Sequence, residues 1–257
     1  MVVDIQKEIS DLYFKAFVKF DYEHNKDRTV GFHVSAASYG CARKIFYDLS
    51  AKKNEEYEGY QYWQKDAKGL YKISLGSKLH EVPLTDDSEH DVSYKTGVEG
   101  LDIYGSIDEI FTDSEGGKWI VDKKYVGFAP NYLMKPEHRK QVGYYSWLYK
   151  QQTGTYAKGI ILAYFVVKEI YFKNYDKMEI VLDENVTKYH VEELTPDDID
   201  GYGKELMAMV MSVKQGKDTN TPPDKTISWY CGYCKFGGNC FEGRTQEEIR
   251  KSINSLS

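Results

Sequence analysis

Residues 105–124 read GSIDEIFTDSEGGKWIVDKK, and this stretch decides the fold. Apolar residues flank a turn-rich segment at 112–118, a pattern that predicts a β-hairpin with a glycine-containing loop. If the loop is symmetric about Glu115, Asp108 and Asp122 lie directly opposite each other on the two strands. Opposed strand residues sit about 5 Å apart at Cβ, and like charges there are destabilising. We therefore expect a divalent cation to compensate for the two carboxylates.

A lysine completes this group of charges. Strand side chains repeat with a period of two, so Lys124 points to the same face as Asp122, whereas Lys123 points to the other face. Hard cations such as Mg²⁺ take oxygen ligands, commonly one or two carboxylates together with water and substrate phosphate. Two acids and a lysine at one place therefore predict a site suited to phosphodiester hydrolysis.

Composition is that of an ordinary globular protein. The 257 residues are 41% hydrophobic and 29% charged, enough for one large domain or two small ones. No cationic segment precedes an apolar stretch at the N-terminus, so we expect no signal peptide. The longest apolar run, residues 159–167, is shorter than the roughly 20 residues that span a bilayer. These features predict a cytoplasmic protein without a membrane partner.

The formal net charge of −6 argues against broad, non-specific binding of nucleic acid. It leaves room for a local basic groove. Five basic residues cluster in the sequence around the predicted site: Lys123, Lys124, Lys135, Arg139 and Lys140. A solvated charged face explains the same cluster equally well.

The order of predicted elements is helices, then a sheet with a helix crossing it, then helices again. Amphipathic helices are expected over residues 3–22 and 66–80, and another is expected from an N-cap at Ser35 through Cys41 to Tyr47. Strands are expected at 91–94, 101–104, 157–167 and 178–182, besides the hairpin. Pro136 begins a helix that carries His138 and Gln141 on one face, and Thr195 caps a helix that runs to about residue 214. The pattern predicts an α/β fold with a mixed central β-sheet flanked by helices.

Four cysteines are present, three of them as C-x2-C-x5-C at Cys231, Cys234 and Cys240 and one far upstream at Cys41. Disulfides are disfavoured without a secretory signal. Four thiolates suit tetrahedral zinc, although structural zinc usually draws its ligands from two local pairs. They suit an iron–sulfur cluster equally well, and a remote fourth ligand is no obstacle to it. The spacing alone leaves zinc and cluster open.

Five segments in this order resemble the RecB-type nucleases of the PD-(D/E)XK superfamily. The resemblance is closest to their iron–sulfur branch, which holds CRISPR-associated exonucleases, viral relatives and the nuclease domains of AddB-type helicase–nucleases. The matching segments are Gly76 to His80, Gly105 to Asp108, Asp122 to Lys124, Gln141 to Tyr145, and the one-plus-three cysteines. The second acid is Asp122, where many CRISPR-associated members carry Glu. No Walker A pattern is present, so no attached helicase motor is implied.

The resemblance implies a restriction-endonuclease-like core in a single domain over residues 1–257. Its parts would be a helical region with the first cysteine (1–80), the nuclease core (81–190), and a helix with a cluster-binding tail (191–257). It implies an Mg²⁺- or Mn²⁺-dependent DNA exonuclease that acts on single-stranded or frayed ends. Expected partners are DNA, with a CRISPR integrase complex or viral replication and recombination proteins. A DNA-binding subunit that no longer cuts, or a structure-specific or RNA-directed endonuclease, are the alternatives.

The resemblance also assigns roles to residues. The metal ligands would be His80, Asp108, Asp122 and the main-chain carbonyl of Lys123. The catalytic set would be Asp108, Asp122, Lys124, Gln141 and Tyr145. A [4Fe–4S] cluster would be held by Cys41, Cys231, Cys234 and Cys240.

Contacts to DNA are expected from basic and aromatic residues around the site. The candidates are Arg43, Lys44, Tyr132, Lys135, His138 and Arg139. Aromatic side chains beside a basic groove stack unpaired bases. Solvated helix faces for Arg43 and Lys44, and a structural role for His138, are the competing interpretations.

Overall fold

The computed structural model describes residues 31–50, 88–126, 135–174, 177–182, 188–234 and 236–255, with the backbone alone at 88–89, 167–174 and 177–182. The expected helices at 3–22 and 66–80 lie outside these residues. So do the segment that ends at His80, and Tyr132.

Seven strands and six α-helices form the described part of the chain. In chain order they are β1 (Phe32–His33), α1 (Val34–Ala37), α2 (Ala42–Ser50), β2 (Ser88–Tyr94), β3 (Ile103–Thr112), β4 (Lys118–Val126), α3 (Pro136–Thr153), β5 (Gly159–Asn174), β6 (Lys177–Leu182), β7 (Lys188–Glu193), α4 (Pro196–Thr219), a 3-10 turn (Trp229–Gly232), α5 (Gly237–Cys240) and α6 (Gln246–Asn254).

The strands form one mixed sheet with the order β1-β3-β4-β5-β6, in which β2 also pairs with β3 and β7 with β5. The β1–β3 and β4–β5 pairs are parallel, and the β2–β3, β3–β4, β5–β6 and β5–β7 pairs are antiparallel. Helix α3 connects the parallel strands β4 and β5, as a parallel pair requires. The predicted α/β fold with a mixed central sheet flanked by helices is confirmed.

The hairpin has the predicted register. Glu109 pairs with Val121 and Thr112 with Lys118, so the loop is symmetric about Glu115. The Asp113 carboxylate accepts hydrogen bonds from the main-chain N–H groups of Glu115 and Gly117, an Asx-type turn that fixes the loop.

Helix α3 lies on the sheet and packs against α4. Gly143 of α3 meets the ring of Tyr202, and Gly203 of α4 meets Trp147, so that a Cβ at either glycine would clash with an aromatic ring. Helix α3 begins with a proline in its first turn, as predicted, and ends at Gly154 in the left-handed conformation. Thr195 and Asp198 form a reciprocal capping box at the start of α4.

Several predicted bounds are wrong. The helix expected from Ser35 through Cys41 is divided into α1 and α2, because Gly40 adopts a positive φ of 67° between them. Cys41 directly precedes α2. Helix α4 extends to Thr219, and strand β5 extends to residue 174.

Five of the described elements lie where the sequence analysis expected none. They are the short strand β1, the strand β7, whose residues alternate between half-buried and exposed, the 3-10 turn, α5 and the terminal helix α6. None of the described helices combines the length and the apolar character needed to cross a membrane.

Candidate active site

The site lies at a gap in the sheet beside β3. Along one edge, β3 pairs with β2 from Ile103 to Glu109. Along the other edge it pairs with β1 at residues 103–104 and with β4 at residues 109–112. Since a strand has only two hydrogen-bonding edges, no other described strand pairs with residues 105–108 on the second edge. Asp108 therefore stands where β4 separates from β3.

The carboxylate of Asp108 bridges this separation. Its Oδ2 accepts a hydrogen bond of 2.6 Å from the main-chain N–H of Lys123. Asp108 and Asp122 occupy the next opposed positions in the register that ends at Glu109 and Val121. The N–H and C=O of one strand residue point to the same edge, so the Lys123 carbonyl also faces β3. The Asp108 carboxylate and the Lys123 carbonyl thus face the gap, and Asp122 is the neighbouring residue on β4.

Lys124 joins the second acid to helix α3. Its Nζ lies 2.9 Å from Oδ2 of Asp122 and donates a 3.3 Å hydrogen bond to Oε1 of Gln141. Gln141 in turn donates through Nε2 to the hydroxyl of Tyr145 at 3.0 Å. Four of the five predicted catalytic residues therefore form one continuous chain of contacts, with Asp108 at its side.

Glycine at position 105 lets this arrangement form. A Cβ at Gly105 would stand 2.6 Å from the ring of Tyr145. The close approach of β3 to α3 therefore requires glycine here.

The ammonium of Lys124 is held in its charged form. Burial lowers its pKa, but the attraction of Asp122, with a further contribution from Asp108, leaves the pKa above its ordinary value. Lys124 is therefore a fixed positive charge and a hydrogen-bond donor at neutral pH. Asp122 is almost completely buried, with 1% of its surface exposed.

Two more groups near Lys124 were missed by the sequence analysis. Burial raises the pKa of Tyr39, nearby Glu137 raises it further, and Lys124 lowers it. Both side chains therefore lie within electrostatic range of the site. Glu137 lies four residues before Gln141 on the same face of α3, a spacing that was a usable signal. No periodic pattern points to Tyr39.

His138 faces the site but is engaged within the fold. Its Nδ1 lies 2.8 Å from the hydroxyl of Tyr164, on the strand beside Lys124. Burial lowers the pKa of His138 to about 3, helped by the positive charges of Lys124 and Lys135. The imidazole is therefore neutral at physiological pH.

The predicted basic cluster does not form one surface. Lys123 is fully buried on the opposite face of the sheet, where its Nζ lies 2.9 Å from Glu109. Arg139 forms a two-pronged ion pair with Glu192, in which its Nε donates at 2.9 Å. Lys140 pairs with Glu205. The side chain of Lys123 therefore lies on the face opposite Lys124, as the period of two predicts.

The remaining predicted contacts lie on α2 and at the start of α3. Arg43 donates through Nε to the carbonyl of Pro223, which links α2 to the chain beyond α4. Lys44 pairs with Asp48 at 2.6 Å one turn along its helix. Lys135 is exposed at the N-cap of α3.

The four cysteines line a single pocket. It is formed by the residue before α2, the 3-10 turn, and helix α5, with Lys44 and Phe236 also on its wall. Burial raises the pKa of the Cys234 and Cys240 thiols.

This set of donors has the chemistry of a four-thiolate centre, and the pocket gathers it from both parts of the sequence. Within the described ranges, however, no three His, Cys, Asp or Glu side chains are arranged as a formed metal site. The shared pocket is thus the observation that fits a metal centre. The described side chains are not in the arrangement of a formed centre.

The chain is similar to two solved structures at low sequence identity. The crystal structure of SSO0001 has 16% sequence identity and a TM-score of 0.49, with 94% of this chain and 100% of that chain covered. The crystal structure of a proposed exonuclease from Eubacterium rectale has 14% identity and a TM-score of 0.35, with 82% and 75% covered. These similarities are too low to bear on activity. No curated protein matches the chain.

The part of the chain that matches a protein-family model extends far beyond the candidate site. The family model of the PD-(D/E)XK nuclease superfamily matches residues 32–241. This span contains β1 to α5, the gap beside β3, and all four cysteines. The chain belongs to the PD-(D/E)XK nuclease superfamily.

Proposed function

We propose that the protein is a metal-dependent DNA nuclease that hydrolyses phosphodiester bonds as an exonuclease at single-stranded or frayed ends. One observation carries the proposal. The Asp108 carboxylate accepts a hydrogen bond from the Lys123 N–H at a gap in the sheet, and Lys124 contacts both Asp122 and Gln141 beside it. Superfamily membership supports the reaction class.

The residues at the gap fit a divalent cation, because oxygen ligands are what Mg²⁺ and Mn²⁺ prefer. Asp108, Asp122 and the Lys123 carbonyl would hold it, with His80 as a further ligand. When bound, such an ion lowers the pKa of a coordinated water and offsets the charge of the scissile phosphate.

Lys124 supplies the charge that belongs to the chain itself. Its ammonium would donate to the phosphoryl oxygens, where negative charge develops during the displacement. Gln141 holds Lys124 through its side-chain oxygen, and Tyr145 fixes Gln141 through its amide nitrogen. A donor that is already oriented does not have to be ordered when the reaction occurs.

We propose in addition that Cys41, Cys231, Cys234 and Cys240 hold a [4Fe–4S] cluster with a structural role. The support is that the four thiols line one pocket and that cluster iron takes four thiolates. Protein purified without oxygen should then contain iron and inorganic sulfide in equal amounts. Stoichiometric zinc without iron would contradict this assignment.

The wider role follows the same proposal. The residues 1–257 would act as one nuclease domain in the cytoplasm, with DNA as ligand. The path by which the DNA strand approaches the site would be lined by Lys135, Arg139, His138, Arg43 and Lys44. In a CRISPR setting the nuclease would trim DNA before spacer integration with an integrase complex, and in a virus it would act with replication and recombination proteins.

A cleavage assay tests the activity. Labelled single-stranded DNA, duplex DNA and RNA are incubated with the purified chain in Mn²⁺, in Mg²⁺ and in EDTA. We expect loss of single-stranded DNA with either metal and none in EDTA. Asp108→Ala and Lys124→Ala should abolish cleavage, whereas Lys118→Ala, which removes a half-buried lysine that contacts Thr112 on the same hairpin, should retain it.

Each contrary result has a distinct meaning. Undiminished cutting by Asp108→Ala would end the assignment of the site. Binding of DNA without cutting in any metal would indicate a non-cleaving subunit. Internal cuts, or a preference for RNA, would indicate an endonuclease or an RNA-directed enzyme in place of the exonuclease.

A further inference from the structure

Exposed aromatic rings stand on the tail that carries three of the cysteines. Trp229 is 52% exposed and Tyr233 is 46% exposed, although both are large apolar rings. They are held in place by neighbouring rings. The Trp229 ring lies 5.9 Å from the Tyr233 ring and 5.9 Å from the Tyr230 ring, at angles of 66° and 87°. The two exposed rings are therefore fixed in orientation.

A positive charge stands beside these rings. The guanidinium of Arg250, an exposed residue of α6, lies over the Tyr233 ring at 5.3 Å from its centroid. The side chain of Arg250 also crosses Gly232, where an added Cβ would stand 2.2 Å from its Cγ. Trp229, Tyr233 and Arg250 are called the tail platform below.

The tail platform is connected to the active-site side of the sheet through Tyr39. The Tyr39 ring stacks on Tyr230 with centroids 3.9 Å apart and lies 6.4 Å from Trp229. The next residue, Gly40, faces the Nζ of Lys140, which directly precedes Gln141 on α3. Tyr39 and Gly40 thus connect the tail platform to the part of α3 that carries Gln141.

We propose that the tail platform binds unpaired nucleotides of the substrate strand. Bases would stack on the exposed faces of Trp229 and Tyr233, and Arg250 would contact a backbone phosphate. Fixed aromatic rings beside a cation are what single-stranded nucleic-acid sites use, since every base has a face that can stack. Bases within a duplex have no free face, so the platform would select single-stranded DNA. This inference rests on the proposed function and adds to it a subsite outside the catalytic residues.

The test is a binding measurement that does not depend on cleavage. A fluorescein-labelled oligodeoxythymidylate of about 12 nucleotides, a length that one such site covers, is titrated with the Asp108→Asn chain and followed by anisotropy. Trp229→Ala in this background should weaken binding by about 5- to 150-fold, the loss expected for one stacked base. Trp229→Phe should recover most of the affinity. Binding to a blunt duplex of the same length should not change.

Tyr189→Ala is the matched control. Tyr189 is 57% exposed and lies on the opposite face of the sheet, because it pairs with Ala163, which pairs with Lys123. Removal of this ring should leave single-strand binding unchanged. Thermal unfolding followed by circular dichroism establishes that the Trp229 variants are folded.

The failure of the subsite and the failure of the proposed function give different results. If the unmodified chain cuts DNA but folded Trp229→Ala and Tyr233→Ala bind the oligonucleotide as tightly as their parent, the inference is overturned and the nuclease assignment remains. If the chain cuts nothing while Trp229→Ala loses affinity, the subsite remains and the nuclease assignment is overturned. An equal loss with Tyr189→Ala would also overturn the inference, since the effect would not be local.

Discussion

At the scale of single residues, the site depends on a short chain of side-chain contacts that starts at Asp122. Lys124 contacts Asp122 and Gln141, and Gln141 contacts Tyr145. Lys124 and Gln141 therefore each contact two other members of this chain. We therefore propose that Gln141 acts as a positioning residue that orients Lys124.

Replacing Gln141 tests this role. Gln141→Ala should lower kcat by about 10- to 100-fold, because Lys124 loses one of its two fixed contacts, an effect smaller than loss of an oxyanion donor itself. KM should change little. Single-turnover cleavage with saturating enzyme measures the chemical step. Gln152→Ala, an exposed residue near the end of the same helix, should be without effect; a loss confined to KM would contradict the positioning role.

His138 should make the folded protein sensitive to acid. Its folded-state pKa of about 3 is below the ordinary value of 6.5, so the unfolded chain binds a proton first as pH falls. The free energy of unfolding should therefore decrease as pH falls below about 6.5, by at most about 1.4 kcal/mol per pH unit from this group. His138→Gln should have a shallower slope between pH 6 and about 4. Urea unfolding at several pH values measures it, and parallel slopes for the two proteins would refute the prediction.

The positions of side chains were predictable where they depend on a local sequence pattern. The symmetry of the hairpin about Glu115 and the shared face of Asp122 and Lys124 were predicted correctly, because a symmetric loop and a period of two determine which strand side chains meet. Tyr39 was missed because it comes near Lys124 only through the packing of α1 against α3, which leaves no pattern in the sequence.

At the scale of elements, side-chain contacts connect β3 and β4 at the point where their main-chain pairing ends. The active-site face carries Asp108 and Asp122. The opposite face carries the ion pair of Glu109 and Lys123, with side chains 1% and 0% exposed. These residues directly follow Asp108 and Asp122 in the chain. The buried pair therefore fixes the spacing of the strands behind the two aspartates.

Replacing one partner of this ion pair should reduce the free energy of unfolding more than replacing both partners. Lys123→Met leaves the Glu109 carboxylate buried without its cation and should reduce the free energy of unfolding by about 3–5 kcal/mol. The double variant Lys123→Met/Glu109→Leu should recover most of that loss, because two buried charges are then replaced by apolar groups. Urea unfolding of the single and double variants decides the matter. A double variant no more stable than Lys123→Met alone would contradict the prediction.

The elements themselves were predictable to different degrees. Pro136 and Thr195 mark helix starts through local capping chemistry, and both starts are where the sequence placed them. The division between α1 and α2 was missed, since a glycine within a helical pattern does not by itself end a helix. Strand β7 was missed because its charged residues alternate with Tyr189 and Val191, which are exposed and give no core-facing stripe.

At the scale of the whole molecule, the site and the cysteine pocket depend on contacts between distant segments. The gap beside β3 exists because residues 32–33 and 118–121 pair with the same edge of β3 at different heights. The pocket exists because Cys41 meets a tail about 190 residues later. Such pairings are set by the global topology, so the sequence predicted the participants but not the gap.

A metal centre shared by the four cysteines predicts that the stability losses of single cysteine variants do not add. If the four thiols hold one metal centre, Cys41→Ser alone opens the long chain closure, and adding Cys234→Ser removes a ligand from a centre that is already lost. Each single variant should lower the free energy of unfolding by an amount on the order of 5 kcal/mol, as for a cross-link over more than 100 residues. The double variant should lose no more than either single variant. Thermal and urea unfolding of the unmodified protein, the two single variants and the double variant gives the double-mutant cycle. The iron content of each protein is measured in parallel. Losses that add would mean that the thiols pack independently, and the single centre would then be rejected.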